Sequence, residues 1–501
     1  MKKSFLVIFS ALMFAKCFAT VQPNSLFSNN LVLQRGVVVP IWGTANDSET
    51  VTVLFQKQKV TTVAKDGKWI IKLKPLKVGG PFTMTIMGKD TVTIQNILVG
   101  EVWICSGQSN MERQLGPRPP QKPIYNWEAE KAAANYPEIR YFSVAHKASD
   151  TLVADVNAKW IICDTTTVIN LSAVGYFFAK DLYNQLKVPI GMLFSSVGGT
   201  PAENWTTRAA LEANPELKGL ASDYDKAVAN YKPAVEKFKE ERTALMEKWA
   251  ADTLIALASH KPFPPKPAPP RNPAGGAGGL YNAMINPLIP YAIKGVIWYQ
   301  GESNSGRGKQ YQTLFPTMIT DWRKNWNEGD FPFLFVQIAP YKGADPMIRE
   351  AQFLTLKKIP NVAMAVTTDC GDSTDIHPPH KQPVGERLAL AARALAYKEK
   401  VEYSGPLFEN YAIKDNVIEI TFSHIGKGLV AKDGELTGFT ICGPDKKFVP
   451  ATAVINGDKI TVSYPSVNYP VAVRYGFINV PNGNLFNQEG LPASPFRTDV
   501  E

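Results

Sequence analysis

Short apolar runs alternate with turn residues along the first part of the chain, from residue 20 to about residue 98. Asn46-Asp47, Asp66-Gly67 and Gly79-Gly80-Pro81 supply the turns. Strands of this length and spacing are typical of small β-sandwiches, so we predict an N-terminal β domain over residues 20–98. The predicted strands are 31–33, 37–39, 51–55, 69–71 and 82–86.

The pattern changes between residues 99 and 400, where strand-length apolar runs alternate with helix-length segments. Strands that are joined by crossover helices form a mostly parallel sheet with helices on its faces. We therefore predict an α/β domain with a doubly wound, mostly parallel sheet. Its predicted strands are 139–144, 190–195, 295–299, 333–338 and 362–367, and its predicted helices are 172–186, 310–326 and 382–397.

A helical insertion interrupts this pattern at about residues 209–273. Between residues 217 and 257 the apolar residues recur in steps of three, four and seven, which predicts one stripe along a long helix or hairpin that Pro233 kinks. A proline-rich extended loop follows over 261–273. We expect the stripe to pack against the main domain, and the alternative is a lid.

Strand signals return after residue 401. Apolar residues dominate 417–422, 459–462 and 471–475, and turn sequences separate these runs. We predict a C-terminal β domain over residues 401–501, without a sequence repeat that would relate it to the N-terminal one.

The first residues have the features of an export signal. Lys2 and Lys3 precede an apolar run, and Cys17 and Ala19 place small residues before a predicted cleavage site after Ala19. We predict a signal peptide over residues 1–19 and an exported protein, either periplasmic or extracellular. No later run approaches the length of a membrane span, so no membrane-spanning segment is expected.

Charge and cysteine content narrow the choice of partners. The formal net charge is +9, and loss of the three lysines of the signal peptide would leave +6. No cluster of basic and aromatic residues accompanies this charge, so no nucleic-acid partner is expected. The other four cysteines lie far apart, which suggests no zinc site and leaves both disulfides and buried thiols open. The oligomeric state cannot be inferred from the sequence.

Ser109 lies in the segment Gly107-Gln108-Ser109-Asn110-Met111, directly after an apolar run over 97–105. This pattern predicts a strand, a tight turn and a helix that begins near the serine. The free N–H groups at the start of such a helix would face whatever Ser109 attacks, as an oxyanion requires. A serine in a turn also serves as a helix cap, so the other motifs decide between the two roles.

A catalytic serine needs a base, and His377 is the candidate among the five histidines. It follows a predicted strand within Asp372-Ser373-Thr374-Asp375-Ile376-His377-Pro378, so it is expected at the edge of the sheet where ligands bind. Asp375 is the first candidate for the acid that orients its imidazole ring, and Asp372 is the second.

Two further loops follow strands in the same way. Gly198-Gly199 comes after the strand at 190–195, and glycine allows a backbone N–H to approach a reacting oxygen closely. Gln300 and Asn304 follow the strand at 295–299 and offer amide donors.

Four segments occur in this order and together resemble the sialate O-acetylesterase family of SGNH hydrolases. They are Gly107-Gln108-Ser109-Asn110-Met111, Val197-Gly198-Gly199-Thr200-Pro201 with Asn204-Trp205, Trp298-Tyr299-Gln300-Gly301-Glu302-Ser303-Asn304 and Asp375-Ile376-His377-Pro378. The resemblance implies a three-layer α/β/α esterase domain that uses neither a metal nor an organic cofactor. With the two flanking regions, the expected fold is an α/β SGNH domain between β-sandwich-like domains.

The resemblance also implies roles for individual residues. Ser109 matches the nucleophile and His377 the general base. The expected oxyanion donors are the Ser109 N–H, the N–H of Gly198 or Gly199, and the Gln300 amide. Many SGNH hydrolases have the acid three residues before the histidine, where this chain has Thr374. Asp375, Asp372 or a Ser–His dyad supported by backbone carbonyls therefore all remain open.

The resemblance implies an O-acetylated sugar or glycan as the substrate. The residues expected to bind the sugar are Trp205, Arg271, Tyr281, Asn282 and Glu302. Arg271 is the candidate partner for a sialic acid carboxylate, since a guanidinium can bind one through two hydrogen bonds. Two alternatives remain: an acetylesterase that acts on plant polysaccharide such as xylan or xyloglucan, and a glycan-binding protein without catalysis.

Overall fold

The computed structural model describes residues 21–270, 272–273 and 275–499. The predicted signal peptide and Arg271 lie outside the described residues. Seven strands form between residues 21 and 90, and Gly79-Gly80-Pro81, expected as a turn, lies within the seventh. They are β1 Gln22–Pro23, β2 Val32–Gln34, β3 Val39–Thr44, β4 Thr50–Phe55, β5 Gln58–Val63, β6 Lys68–Leu73 and β7 Gly79–Met87.

The next strand, β8 Thr91–Gly107, is 17 residues long and joins two regions. Its first half pairs antiparallel with β7, and its second half lies in the large sheet of the middle region. All residues from Ile97 to Gly107 are buried, as a continuous apolar run in a central strand predicts. The expected division between residues 98 and 99 therefore falls inside a continuous strand.

The middle of the chain alternates between helices and strands. In chain order these are α1 Ser109–Glu112, α2 Trp127–Ala133, β9 Asn135–Ser143, β10 Trp160–Asp164, α3 Ala173–Leu186, β11 Ile190–Ser196, α4 Arg208–Ala213, α5 Lys218–Ala258, β12 Gly295–Tyr299, α6 Gly308–Trp326, β13 Phe333–Val336, α7 Pro346–Lys358, β14 Val362–Ala365 and α8 Gln382–Tyr397. Each strand and helix predicted for this region has a counterpart here, whereas α2, β10, α4 and α7 were not predicted.

The middle strands form one mixed sheet in the order β10-β9-β11-β8-β12-β13-β14. All neighbours in this row are parallel except β10 and β9. With β2, β4, β5 and β7 the described sheet has 11 strands. Ser196 and Tyr299 both pair with Gly107, so three parallel strands end side by side at one edge.

Alternate residues of the central strands pack against different helices. In β12, Val296 and Trp298 belong to one buried cluster with residues of α6 and α7, whereas Ile297 and Tyr299 belong to another with residues of α3 and α8. Gly385 permits the close contact between α3 and α8, because a side chain there would lie 2.8 Å from the Val174 carbonyl oxygen. The two sides of the sheet therefore have separate apolar cores.

Helix α5 is a 41-residue helix about 60 Å long, and it is mostly exposed. Only Ala221 and Ala256 along it are buried. Its first turns pack against the core through Leu220 and Tyr224. Farther along, Trp249 donates a hydrogen bond to the carbonyl oxygen of Pro264 in the proline-rich segment. The expectation that the whole stripe packs against the main domain is therefore wrong beyond these first turns.

Ten short strands between residues 407 and 497 enclose a third apolar core. They are β15 Leu407–Lys414, β16 Val417–Ser423, β17 Leu429–Ala431, β18 Phe439–Cys442, β19 Val449–Pro450, β20 Thr452–Asn456, β21 Lys459–Ser463, β22 Ala472–Tyr475, β23 Leu485–Asn487 and β24 Phe496–Arg497. They form two four-stranded sheets and one pair. Arg349 of α7 joins this region to the middle, because it donates to the carbonyl oxygens of Ile338 and Asn479.

Two smaller expectations concern thiols and membranes. The four cysteines of the described residues are free and buried, so the alternative of disulfides is wrong for this structure. No helix within the described ranges is both long and apolar enough to cross a membrane.

Candidate active site

Ser109 stands at the junction of β8 and α1, at the edge where the three parallel strands end. Gly107 makes the turn possible, because its φ is +139° and a side chain there would lie 2.2 Å from the Tyr299 carbonyl oxygen. Ser109 is the first residue of α1, so its N–H has no acceptor within the helix. The turn thus presents a hydroxyl and a free amide hydrogen together, as the motif predicts.

The loop that follows β14 carries His377 to this hydroxyl. The Nε2 atom of His377 lies 2.9 Å from the Oγ of Ser109, although 268 positions separate them in the chain. On the other side of the ring, Nδ1 lies 3.2 Å from the side-chain amide nitrogen of Gln121. A serine and an imidazole at hydrogen-bond distance can transfer a proton, which is the first requirement of nucleophilic catalysis by serine.

Neither expected acid makes a hydrogen bond with the imidazole ring. Asp375 lies 3.9 Å from Nδ1, and its Oδ1 instead accepts from the backbone N–H of His377 at 2.8 Å. Asp372 pairs with Lys122 and accepts hydrogen bonds from Thr374. Both carboxylates therefore shape the loop around the histidine in this structure, and a direct bond from either to Nδ1 is absent.

Burial and positive charge lower the pKa of His377 below its usual value of 6.5. Burial is the largest cause, followed by the charge of Lys381. Arg118 and Arg113 act in the same direction, whereas Asp375 opposes them. The histidine is therefore neutral near pH 7, which is the form that a general base requires.

A buried polar network holds the two loops together. The Asn110 amide donates to Glu302 at 2.6 Å and to the Ile376 carbonyl oxygen, next to the histidine, at 3.0 Å. Lys381 donates to the Oδ1 of Asn110, and burial lowers the pKa of this lysine to about 7. Burial raises the pKa of Glu302, whose Oε2 has no hydrogen-bond partner among the described residues. The network fixes the loop that carries His377.

Ser109 and His377 line an open cleft of about 550 Å³. Its other lining residues are Gln108, Glu112, Arg118, Gln121, His146, Val197, Gly198, Gly199, Glu302, Ser303 and Ile376. No cluster of three His, Cys, Asp or Glu side chains that could hold a metal ion exists in the described part of the chain.

The expected oxyanion donors differ in their distance from Ser109 and in their hydrogen-bond partners. A side chain on Gly198 would lie 3.3 Å from the Cβ of Ser109, so this glycine is next to the serine, and its N–H donates to the Glu112 carboxylate. Gly199 has φ +71° and open space around it. Gln300 is fully buried, and its amide donates to Asn304 at 2.6 Å and accepts from Tyr311. The structure therefore does not bring the Gln300 amide to Ser109, because internal partners occupy it.

Comparison with known proteins shows the family to which this chain belongs. A family model described as carbohydrate esterase, sialic acid-specific acetylesterase, matches residues 99–249 and 272–394, which include Ser109 and His377. The chain belongs to this family. The resemblance expected from the four motifs is confirmed, and with it the assignment of the chain as a carbohydrate O-acetylesterase, a carboxylic ester hydrolase.

Relatives of this esterase match nearly its whole length. Sialate O-acetylesterase from Homo sapiens is 31% identical over 531 residues, which cover 94% of this chain and 91% of the human one. The enzyme of the same name from Rattus norvegicus is 32% identical, covering 85% of this chain and 83% of its own. A carbohydrate acetylesterase from Xanthomonas citri has a crystal structure that matches with a TM-score of 0.80 at 33% identity, over 96% of this chain and all of that one.

Most of the residues expected to bind the sugar lie elsewhere in the esterase. Trp205 is fully buried and packs edge-on against Trp298, so it belongs to the core. Tyr281 and Asn282 line a different cleft. Among the described members of the expected set, only Glu302 lines the Ser109 cleft. Arg271 is outside the described residues. The expectation is wrong for Trp205, because a buried indole cannot contact a sugar.

Four residues of the cleft were not predicted from the sequence: Glu112, Arg118, Gln121 and His146. Three of them follow Ser109 within 12 positions, so their closeness to the nucleophile in the sequence could have indicated that they line the cleft. His146 had no visible partner in the sequence, and only the fold places it at the cleft.

Proposed function

We propose that the protein removes acetyl groups from sialic acids or glycans that carry them, through an acetyl-enzyme on Ser109. The observation that carries this proposal is the 2.9 Å separation of the Ser109 hydroxyl and the neutral His377. Membership of the sialic acid-specific acetylesterase family supports the choice of an acetylated acidic sugar.

The reaction has two stages. His377 accepts the Ser109 proton at Nε2, and the Ser109 oxygen attacks the acetyl carbonyl. The N–H groups of Ser109 and of Gly198 or Gly199 then stabilise the oxyanion. The bond between the acetyl carbon and the sugar oxygen then breaks, and His377 gives its proton to the departing sugar oxygen. Water then attacks the acetyl-enzyme, with His377 again as the base, and releases acetate and Ser109.

The Gly198 N–H must exchange partners during this reaction. In the present structure it donates to Glu112, whose carboxylate also lies 3.3 Å from Arg118. An oxyanion formed on Ser109 would compete for the same amide. The Gly199 N–H is the second candidate donor, in a glycine whose φ of +71° turns the chain beside Gly198.

Arg118 is our candidate for recognition of a sialic acid carboxylate, in place of Arg271. It lines the cleft of Ser109 and pairs there with Glu112, and its side chain is 41% exposed. A guanidinium binds a carboxylate more tightly than a neutral sugar hydroxyl. This residue favours an acidic sugar over the neutral backbone of xylan or xyloglucan.

The architecture that we propose is a three-layer SGNH domain between two β domains, the first of which is joined to it through the continuous strand β8. The separate apolar clusters on the two sides of the central sheet support three layers. We also propose export to the periplasm or the cell exterior through residues 1–19, which purification of the mature chain and sequencing of its first residues would test.

Acetate release from O-acetylated mucin and from acetylated xylan tests the substrate class. We expect faster release from the mucin, and Arg118→Leu should raise KM for an O-acetylated sialic acid about tenfold, the loss of one charged hydrogen bond. The exposed Arg242 on α5 supplies the control substitution Arg242→Leu. Faster release from xylan, or an unchanged KM in Arg118→Leu, would contradict the acidic-sugar assignment.

A further inference from the structure

A histidine that takes a proton at Nε2 must carry its own hydrogen at Nδ1. That hydrogen needs an acceptor, because a hydrogen bond at Nδ1 fixes both the tautomer and the orientation of the ring. In this cleft the two carboxylates expected for this role accept hydrogen bonds from other groups. Asp375 accepts from the backbone N–H of His377, and Asp372 accepts from Lys122 and Thr374.

Gln121 provides the polar group within hydrogen-bond distance of Nδ1. The end of its side-chain amide lies 3.2 Å from that nitrogen. The oxygen of the same amide is buried and has no hydrogen-bond partner among the described residues. Rotation by 180° about the Cγ–Cδ bond exchanges the amide nitrogen and oxygen without changing the shape of the side chain.

The reaction decides which end of the amide faces the ring. An amide nitrogen would donate to Nδ1 and force the hydrogen of the neutral ring onto Nε2, where it would point at Ser109. That tautomer cannot accept the serine proton. We propose that the amide oxygen of Gln121 accepts the Nδ1–H of His377 and so replaces the acid of the usual triad.

This inference rests on the proposed function, since it concerns the base of that reaction. Gln121 is a positioning residue: it acts through His377 and does not touch the reacting atoms. When the Ser109 proton moves to Nε2, the Nδ1–H stays on the ring and continues to donate to the amide oxygen. No proton passes to Gln121.

The local fold holds Gln121 in place. The guanidinium of Arg113 is buried, and it donates to the carbonyl oxygens of Gln114, Gly116 and Lys122, on both sides of Gln121. The backbone N–H of Gln121 donates to the Arg118 carbonyl oxygen and closes a turn. These bonds define where the amide lies relative to His377, as the orientation of a general base requires.

A neutral acceptor stabilises the imidazolium less than a carboxylate does. The charged groups that face His377 are Lys381, Arg118 and Arg113, which are cationic, and Asp375, which is anionic. A second carboxylate at position 121 would oppose the three cations. The pH dependence of kcat/KM therefore reports directly on what position 121 contributes.

The experiment compares variants of the full-length enzyme on p-nitrophenyl acetate. Gln121→Leu keeps the size of the side chain but removes the acceptor, and we expect kcat to fall about 100-fold with little change in KM. Gln121→Glu should keep most of the activity and move the acidic limb of kcat/KM upward by about one pH unit. Gln185→Leu on the exposed face of α3 is the matched control, and Asp375→Asn should lose less than Gln121→Leu.

Three outcomes would overturn the inference. They are near-wild-type kcat in Gln121→Leu, an unchanged acidic limb in Gln121→Glu, and a greater loss in Asp375→Asn than in Gln121→Leu. Where Gln121→Leu fails to fold, the pH profile of Gln121→Glu decides. Absence of esterase activity in the wild-type protein would instead refute the proposed function.

Discussion

Two clefts of the esterase differ in the hydrogen bonding of their polar groups, which their volumes do not reveal. The larger, of about 1,100 Å³, is lined by Tyr281, Asn282 and Asp321. The buried Asp321 carboxylate accepts hydrogen bonds from Thr207 and Asn325. It therefore stabilises the start of α4 and has internal partners for both oxygens.

The smaller cleft, of about 550 Å³, has polar atoms without such partners. The Oε2 of Glu302 and the Oε1 of Gln121 are both buried and have no hydrogen-bond partner in the described ranges. Ser109 and His377, which lie within hydrogen-bond distance of each other, line the same cleft. A reaction needs donors and acceptors that are free to change partners, so unsatisfied groups identify an active site better than volume does.

Of the substitutions predicted here, Ser109→Ala should reduce activity most, because it removes the nucleophile of the smaller cleft. Loss of the nucleophile should lower kcat for p-nitrophenyl acetate by at least about 10³-fold, because the remaining groups cannot form the acetyl-enzyme. Circular dichroism should report an intact fold. Activity near that of the wild type would place the reaction outside this cleft.

Lys381→Met tests the buried network beneath the smaller cleft. The substitution removes the donor to Asn110 and leaves Glu302 without its nearby cation, so we expect the free energy of unfolding to fall by about 2 kcal/mol. Urea denaturation measures this loss. The exposed Lys400 provides the control Lys400→Met, which should change the free energy of unfolding by less than about 0.5 kcal/mol. Equal effects of the two substitutions would refute the network's structural role.

The pH dependence of the wild type sharpens the assignment of the base. The active form is neutral His377, and its pKa is lowered. We therefore expect kcat/KM to rise with pH through a midpoint below 6.5 and to level off above that midpoint. Below that midpoint the rate should fall about tenfold per pH unit, as one proton blocks the base. A midpoint above 6.5 would mean that a different group titrates or that Asp375 dominates the ring.

Tyr281→Phe gives the smallest expected effect. It removes one hydroxyl from the larger cleft, so kcat/KM for O-acetylated sialic acid should stay within about twofold of the wild-type value. A loss of tenfold or more would show that substrate also occupies the larger cleft. The sequence-based expectation for Tyr281 would then be right.

The strands and helices of the middle region were predictable because they repeat a simple pattern. Periodic burial determines where β11, β12, α6 and α8 form, and the structure has each within a few residues of its predicted bounds. Helix α7 was not predicted because polar residues, namely Arg349, Gln352 and Thr355, occupy buried positions along it and weaken the apolar pattern. The predicted boundary at residue 98 is wrong as a break in the chain, since it falls inside β8, which runs through the 11-stranded sheet.

The sequence by itself determined the family, the candidate nucleophile and the candidate base, because motifs of fixed spacing carry that information. It also placed these motifs at the ends of strands, where a parallel sheet collects them. Only the tertiary structure decided which polar side chains face Ser109. Gln300 bonds inward and Gln121 faces His377, although both are glutamines in loops near the site. The physical reason is that a side chain's partners depend on distant backbone carbonyls and buried charges, which spacing along the chain does not specify.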